Sequence, residues 1–284
     1  MKIMLTGGKG MLGRTLCREL KNFDIIATDL PEADITDAAA FEKILQKNSP
    51  AAVIHCAAMT AVDRCETESD QAYSINATGT ANVARACHSN HIRLIAISTD
   101  YVFDGDSPRP YNEHDSATGG KTIYGKSKFA GEEAVRLCCP DHVICRLAWL
   151  YGPGGPSFVH TMMSLADGTR PELKIVSDQT GNPTSTLAVA EKLQDILLRR
   201  ELTGTFHLTC EGEATWAEFA GEIFRIAGKK QKIRPCTTKD YPRPAPRPAN
   251  SRLDNMMLRR AGLPPMPHWK EALREFMQQE FQIF

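Results

Sequence analysis

The chain has 284 residues, 42% of them hydrophobic, and its 34 Lys and Arg balance 34 Asp and Glu. That length and apolar content suit one large or two modest packed domains. Zero net charge excludes the basic field that recruits nucleic acid and the acidic tail of a disordered interaction segment. No apolar run approaches a membrane span, and "MKIMLTGG" passes into glycines without the apolar core and cleavage site of a secretory signal. The nine cysteines include no CxxC, and Cys138 and Cys139 stand side by side without zinc spacing. A cytoplasmic protein with reduced thiols, free of membrane and nucleic-acid partners, is expected.

From the N-terminus, short apolar runs alternate with helix-patterned segments. "KIMLT" (2–6) reads as a strand, followed by glycines and the helical "GMLGRTLCRELK". Then come "DIIATD" (24–29), a helix over 37–48, the strand "AAVIHCAA" (51–58), one long helix over 69–90 and the strand "RLIAIST" (93–99). "KTIYGKSKFAGEEAV" (121–135) supplies the next helix and "HVICRLAWLY" (142–151) the next strand. This alternation predicts an α/β fold, a doubly wound parallel sheet of Rossmann type covered on both faces. Beyond Tyr151, "GPGGP" breaks the rhythm. A helix around 157–167, "LKIVSD" (173–178), a helix over 186–200 and the strand "TFHLT" (205–209) follow. A helix after Thr215 comes next, and then "YPRPAPRPANSR" (241–252), whose prolines exclude helix interior and central strand. The expected division is a dinucleotide-binding domain over 1–151, its sheet completed by 186–209, and a smaller substrate-binding domain from 152–185 and 210–284.

"TGGKGMLG" places Gly7, Gly10 and Gly13 between a strand and a helix. Gly7 suits a tight turn, Gly10 a close backbone approach to a pyrophosphate, and Gly13 helix–strand packing. A tight turn with no ligand is the plain alternative. Asp29 stands where an acid binds adenosine ribose hydroxyls, or else caps a turn; Lys9 and Arg14 nearby leave the choice between NADPH and NADH open. "AISTDYVFDG" ends a strand with Ser98, Thr99 and Asp100 at the edge where open α/β sheets bind ligands, so a hydroxyl there can reach a substrate carbonyl. Tyr124 and Lys128, one helical turn apart, share a face. An ammonium beside the phenol would lower its proton affinity and suit it to acid–base work near neutral pH. His88 and His91 are close together, but no acid at ligand spacing joins them, and a surface helix is the expected reading.

In the order of its blocks, the chain resembles the extended short-chain dehydrogenase/reductase superfamily and, within it, the dTDP-4-dehydrorhamnose reductases. The blocks are "TGGKGMLG", "HCAAMTAVDRCE", "SINATGTANVA", "STDYVFDG", "YGKSKFAGE", "RLAWLYG", "DQTGNPT" and "RPANSRLD". The resemblance implies NADPH- or NADH-dependent reduction of the 4-keto group of dTDP-4-dehydro-L-rhamnose to dTDP-L-rhamnose, by a monomer or homodimer. It implies a pyrophosphate loop of Gly7, Gly10, Met11, Leu12 and Gly13, adenosine-side contacts from Asp29, Asp34 and Ile35, and a cofactor lining of Ala58, Met59 and Thr60. Thr99, Tyr124 and Lys128 take the catalytic positions; Tyr124 and Lys128 also touch the cofactor. Asp100, Trp149, Gln179, Arg247 and Arg252 take the sugar-nucleotide side, with Asn182 less firmly matched than Gln179. Forked guanidinium donors suit a diphosphate. The departures are Thr15 where some members carry a metal-binding glutamate, so that no metal is expected, Met59 where an aromatic or His is common, and "RLAW" in place of Arg-Thr-Ser-Trp. The same catalytic parts serve other sugar-nucleotide reductases and epimerases. A related group uses the fold as a regulatory subunit of methionine adenosyltransferase.

Overall fold

A computed structural model describes residues 1–283. The chain runs through β1 (Lys2–Thr6), α1 (Met11–Glu19), β2 (Asp24–Thr28), α2 (Ala38–Asn48) and β3 (Ala52–His55). Short helices α3 (Val62–Thr67) and α4 (Ser69–Tyr73) lead through a π-helical turn, Ser74–Gly79, into α5 (Thr80–Ser89). Next are β4 (Arg93–Thr99), α6 (Ile123–Cys138), β5 (His142–Leu147), β6 (Leu150–Tyr151), α7 (Phe158–Leu165) and β7 (Leu173–Val176). β8 (Thr180–Gly181), β9 (Thr184–Ser185), α8 (Thr186–Leu198), β10 (Gly204–His207) and β11 (Ala214–Thr215) follow. The chain ends with α9 (Trp216–Ile226), β12 (Ile233–Cys236), α10 (Met256–Arg260) and α11 (Trp269–Phe281).

Six parallel strands form the main sheet in the order β2–β1–β3–β4–β5–β10. Successive strand residues point to opposite faces, and both faces are covered, which is why the central strands β1, β3, β4 and β5 are largely apolar rather than alternating. Ile3, Leu5, Ile54, Ile95 and Val143 join one core with Leu16 of α1 and Leu193 of α8. Met4, Val53, Leu94 and Ile144 join the other, with Phe41 of α2, Val83 of α5 and Val135 of α6. The strand order reverses between β1 and β3, so a crevice opens there at the carboxyl ends of the strands. The first core also continues into α9 and α11 through Phe219, Phe224, Leu273 and Phe276. Around it, β7 pairs with β12 and β8 with β11 in small separate sheets.

Two expected elements are interrupted, both beside the crevice. The long helix over 69–90 carries the π turn because the Asn76 side chain turns inward: it accepts from Met59 N at 2.8 Å and donates to Met59 O at 3.1 Å and to Ser127 Oγ at 3.0 Å. α6 packs so closely on this turn that a Cβ on Gly131 would collide with the Asn76 carbonyl oxygen. The strand over 142–151 stops at Leu147 because Trp149 lies in the left-handed region, at φ 47°, a conformation a bulky side chain seldom adopts.

Candidate active site

A cleft of about 700 Å³ lies over the switch point. Its floor is backbone. Gly7 holds φ +70°, and a Cβ there would stand 2.7 Å from Ala57 N. A Cβ on Gly13 would fall on the Gly7 carbonyl oxygen, so only glycine lets α1 start this close to β1. Gly10 occupies the N-cap of α1 with no side-chain cap bond, leaving first-turn amides for an anion. These features fit a dinucleotide pyrophosphate.

Met11, Leu12, Asp29, Asp34 and Ile35 line the same cleft. Asp29 accepts from Lys9 N and Leu30 N, each at 2.8 Å, and so ties the glycine loop to the end of β2. Asp34 holds a turn, accepting from Thr36 N at 2.8 Å and Thr36 Oγ1 at 2.7 Å. Ala58 and Thr60 line the cleft as well. Met59 differs: it is buried in a cluster with Cys65, Ala72 and Tyr124, behind the wall that its neighbours form. The inward Asn76 bonds hold it there. Arg14 donates to the Gly154 carbonyl rather than to the adenosine-side acids. Thr15 is buried between Met11 O, at 3.1 Å, and Thr186 Oγ1, at 2.9 Å, tying α1 to α8.

Ser98, Thr99, Asp100 and Tyr124 meet at the carboxyl end of β4 and line the cleft. α6 begins at a Thr122 cap, whose Oγ1 accepts from Gly125 N at 2.9 Å, and this sets Tyr124 in the first turn. Burial pushes the Tyr124 phenol well up; a hydrogen bond with Thr99 offsets part of this, and the Asp100 charge adds to it. The expected lowering by Lys128 is not found. The ammonium instead donates to the Ile97 carbonyl at 2.8 Å, beneath the cleft. Burial pulls Lys128 down to about 8, against the opposing pull of Glu132. Thr99 Oγ1 donates to Asp100 Oδ1 at 3.0 Å. Asp100 is raised to about 6 by burial, in spite of Ser251 and Thr99, and its Oδ2 has no hydrogen-bond partner among the described residues.

Ser98 behaves unlike its neighbour. Its hydroxyl donates to Glu132 at 2.6 Å, so toward the cleft it is an acceptor only. The strand pattern brings both hydroxyls to the same edge, and only the family resemblance singles out Thr99. Glu132, one turn beyond Lys128 in a segment already singled out, was overlooked.

On the far side, Trp149 lines the cleft and stacks on Trp216, with centroids 3.5 Å apart and planes 6° from parallel. Gly181 must lack a side chain, since a Cβ would meet the Trp149 indole. Trp216 Nε1 donates to Gln179 at 2.9 Å, and Gln179 donates to Thr238 Oγ1 at 2.9 Å. Gln179 therefore braces the wall from behind. Asn182 donates to Gly212 O at 2.7 Å and accepts from Leu253 N at 2.8 Å. Arg247 is forked onto Asp63 at 2.9 and 2.8 Å, pinning the proline-rich segment to α3. Arg252 is spent on Asn250 at 2.7 Å, Glu213 at 2.9 Å and Pro108 O at 2.9 Å. Neither arginine lines the cleft. No periodic pattern marks Trp216 as part of this wall, because its partner is 67 positions away in the chain (216 − 149).

Residues 1–282 match the family model described as the RmlD substrate binding domain. A dTDP-4-dehydrorhamnose reductase of Streptomyces griseus is 41% identical over 280 residues, covering 96% of this chain and 91% of that one. A crystal structure of a dTDP-4-dehydrorhamnose reductase from Clostridium acetobutylicum superposes with a TM-score of 0.95 at 44% identity, covering 100% of both chains. One from Bacillus anthracis, in complex with NADP, gives 0.95 at 38% identity, covering 98% of this chain and 99% of that one. The chain belongs to the RmlD family of Rossmann-type reductases.

Proposed function

We propose that this protein reduces the 4-keto group of dTDP-4-dehydro-L-rhamnose to dTDP-L-rhamnose with NADPH or NADH. The observation that carries this reading is one cleft in which a glycine floor fitted to a pyrophosphate meets a buried Tyr124 beside Thr99. The names of the relatives supply the sugar and the cofactor. In this reading, residues 1–151 with 186–209 bind the dinucleotide, and 152–185 with 210–284 bind the sugar nucleotide.

A bound reduced nicotinamide supplies the hydride. Gly7, Gly10, Met11, Leu12 and Gly13 hold its pyrophosphate, while Asp29, Asp34 and Ile35 border the adenosine side. Ala58 and Thr60 line its path; Met59 backs Tyr124. Burial keeps Tyr124 protonated, so it enters the reaction as the acid and gives its phenolic proton to the substrate oxygen. Thr99 shares that oxygen. Lys128, if turned from the Ile97 carbonyl toward the cleft, would hold the ribose next to the reacting ring and offer positive charge as the phenolic oxygen becomes negative. Trp149 is the flat wall for the sugar, and Asp100 offers its free Oδ2 to a sugar hydroxyl. Arg247, if released by Asp63, is the cation for the diphosphate. Gln179 and Arg252 act through the elements they brace.

The test supplies dTDP-4-dehydro-L-rhamnose, made in situ by an epimerase, and follows NADPH and NADH absorbance in separate cuvettes. Sugar-dependent oxidation is expected. A folded protein that binds both cofactors and oxidises neither would refute the assignment.

A further inference from the structure

Lys128 is 6% exposed and Glu132 3%, one turn apart on α6. Both face a hollow of about 10 Å³ behind the cleft, lined also by Ser98, Thr80 and Gly131. Four hydrogen bonds fix the Glu132 carboxylate: Ser98 Oγ at 2.6 Å, Arg146 Nε at 2.9 Å, Arg146 Nη2 at 2.7 Å and Arg136 Nη2 at 2.8 Å. We infer that Glu132 is a positioning residue for the cleft, its buried charge holding Lys128 as an ammonium and its acceptor oxygen turning the Ser98 proton away from the ligand. This deepens the reductase reading and rests on it only for the role of Lys128.

Among the described residues, the groups around Lys128 leave Glu132 as its one anionic neighbour. From the end of β3, burial keeps His55 neutral, at about 3, with Lys128 adding to the effect, and holds the Cys56 thiol up at about 12. His55 is further held between Thr6 Oγ1 at 2.7 Å and Thr80 Oγ1 at 3.0 Å. From β4 come the Ile97 carbonyl and the neutral Ser98. From its own helix come Tyr124, which burial keeps protonated, and Glu132, where burial would neutralise the carboxyl but Arg146, Ser98 and Arg136 together hold its pKa below the usual carboxylate value. Arg146, on β5, and Arg136, farther along α6, are the nearby cations, both engaged by Glu132. A buried ammonium without a countercharge gives up its proton readily. Removing the carboxylate would also leave Arg146 as an unbalanced cation beside it.

Glu132 also ties α6 to β5 through Arg146, so loss of stability alone would not separate positioning from packing. The discriminating readout is the titration of Lys128 itself. In protein labelled with carbon-13 lysine, its Cε resonance is assigned by its disappearance in Lys128→Arg and followed from pH 6 to 10 without cofactor. Glu132→Gln should lower the midpoint by at least about half a unit, and Glu132→Asp should restore most of it. The alkaline loss of NADPH affinity, measured by fluorescence without sugar, should move the same way. If Glu132→Gln does not fold, Arg136→Gln carries the test with the opposite sign, because removing a cation beside the carboxylate raises the midpoint. An unmoved midpoint in folded Glu132→Gln overturns the inference, as does a shift that leaves the NADPH profile in place. No step uses the sugar, so a wrong substrate assignment would leave these outcomes intact.

Discussion

The two halves of the cleft are built on different principles. The dinucleotide half is backbone: glycines that let α1 approach β1, an uncapped helix start, and strand ends at the switch point. The opposite half is a mesh of side chains from distant segments, with Trp149 on Trp216, Trp216 on Gln179, and Arg247 on Asp63. A backbone site tolerates no added atom at its tight positions but accepts varied neighbours. A side-chain mesh loses its parts one at a time, each at modest cost. Substitutions in the two halves should therefore differ in severity and in the constant they affect.

Tyr124→Phe should have the largest effect, since it removes the acid that serves both halves. Turnover should fall by at least ~100-fold, the usual contribution of a positioned acid, while NADPH titration remains near wild type. Retained turnover would separate Tyr124 from the chemistry. Gly13→Ala breaks the backbone half. The added carbon meets the Gly7 carbonyl, a cost of about 1–3 kcal/mol in a packed site, so both thermal stability and NADPH affinity should drop. A variant that binds NADPH normally would show that the loop can relax.

Trp216→Leu removes one layer of the mesh. Loss of a stacked pair worth about 1 kcal/mol should raise the KM for the sugar nucleotide by about fivefold and spare kcat. A loss confined to kcat would place Trp149 in the reaction rather than in binding. The smallest effect on stability belongs to Asp63→Asn, which loosens a part-exposed ion pair and should cost less than about 1 kcal/mol. It should also free Arg247 and lower the KM for the sugar nucleotide, whereas Arg247→Ala should raise it. The same sign in both variants would make the pair a strut and nothing more.

Legibility divides along the same line. The glycine spacing, the strand–helix alternation and the Tyr124/Lys128 turn are local patterns, and each stands in the chain where the structure uses it. What was misplaced depended on partners remote in sequence. Met59 sits behind the wall because Asn76 holds its backbone. Arg252 is consumed by Glu213 and the Pro108 carbonyl, so the expected diphosphate donor is a strut. Lys128 turns to the Ile97 carbonyl and leaves Tyr124 to its burial.

By itself the sequence determined the sheet, the glycine cradle and the chemical types at the carboxyl edge. Periodicity and glycine placement act over a few residues, and the backbone must obey them wherever it packs. Only the tertiary structure decided which way each polar group spends its hydrogen bonds: Ser98 toward Glu132, Lys128 toward the Ile97 carbonyl, Arg247 toward Asp63. A donor or acceptor is committed by whatever neighbour the fold brings within 3 Å, and no local pattern encodes that neighbour.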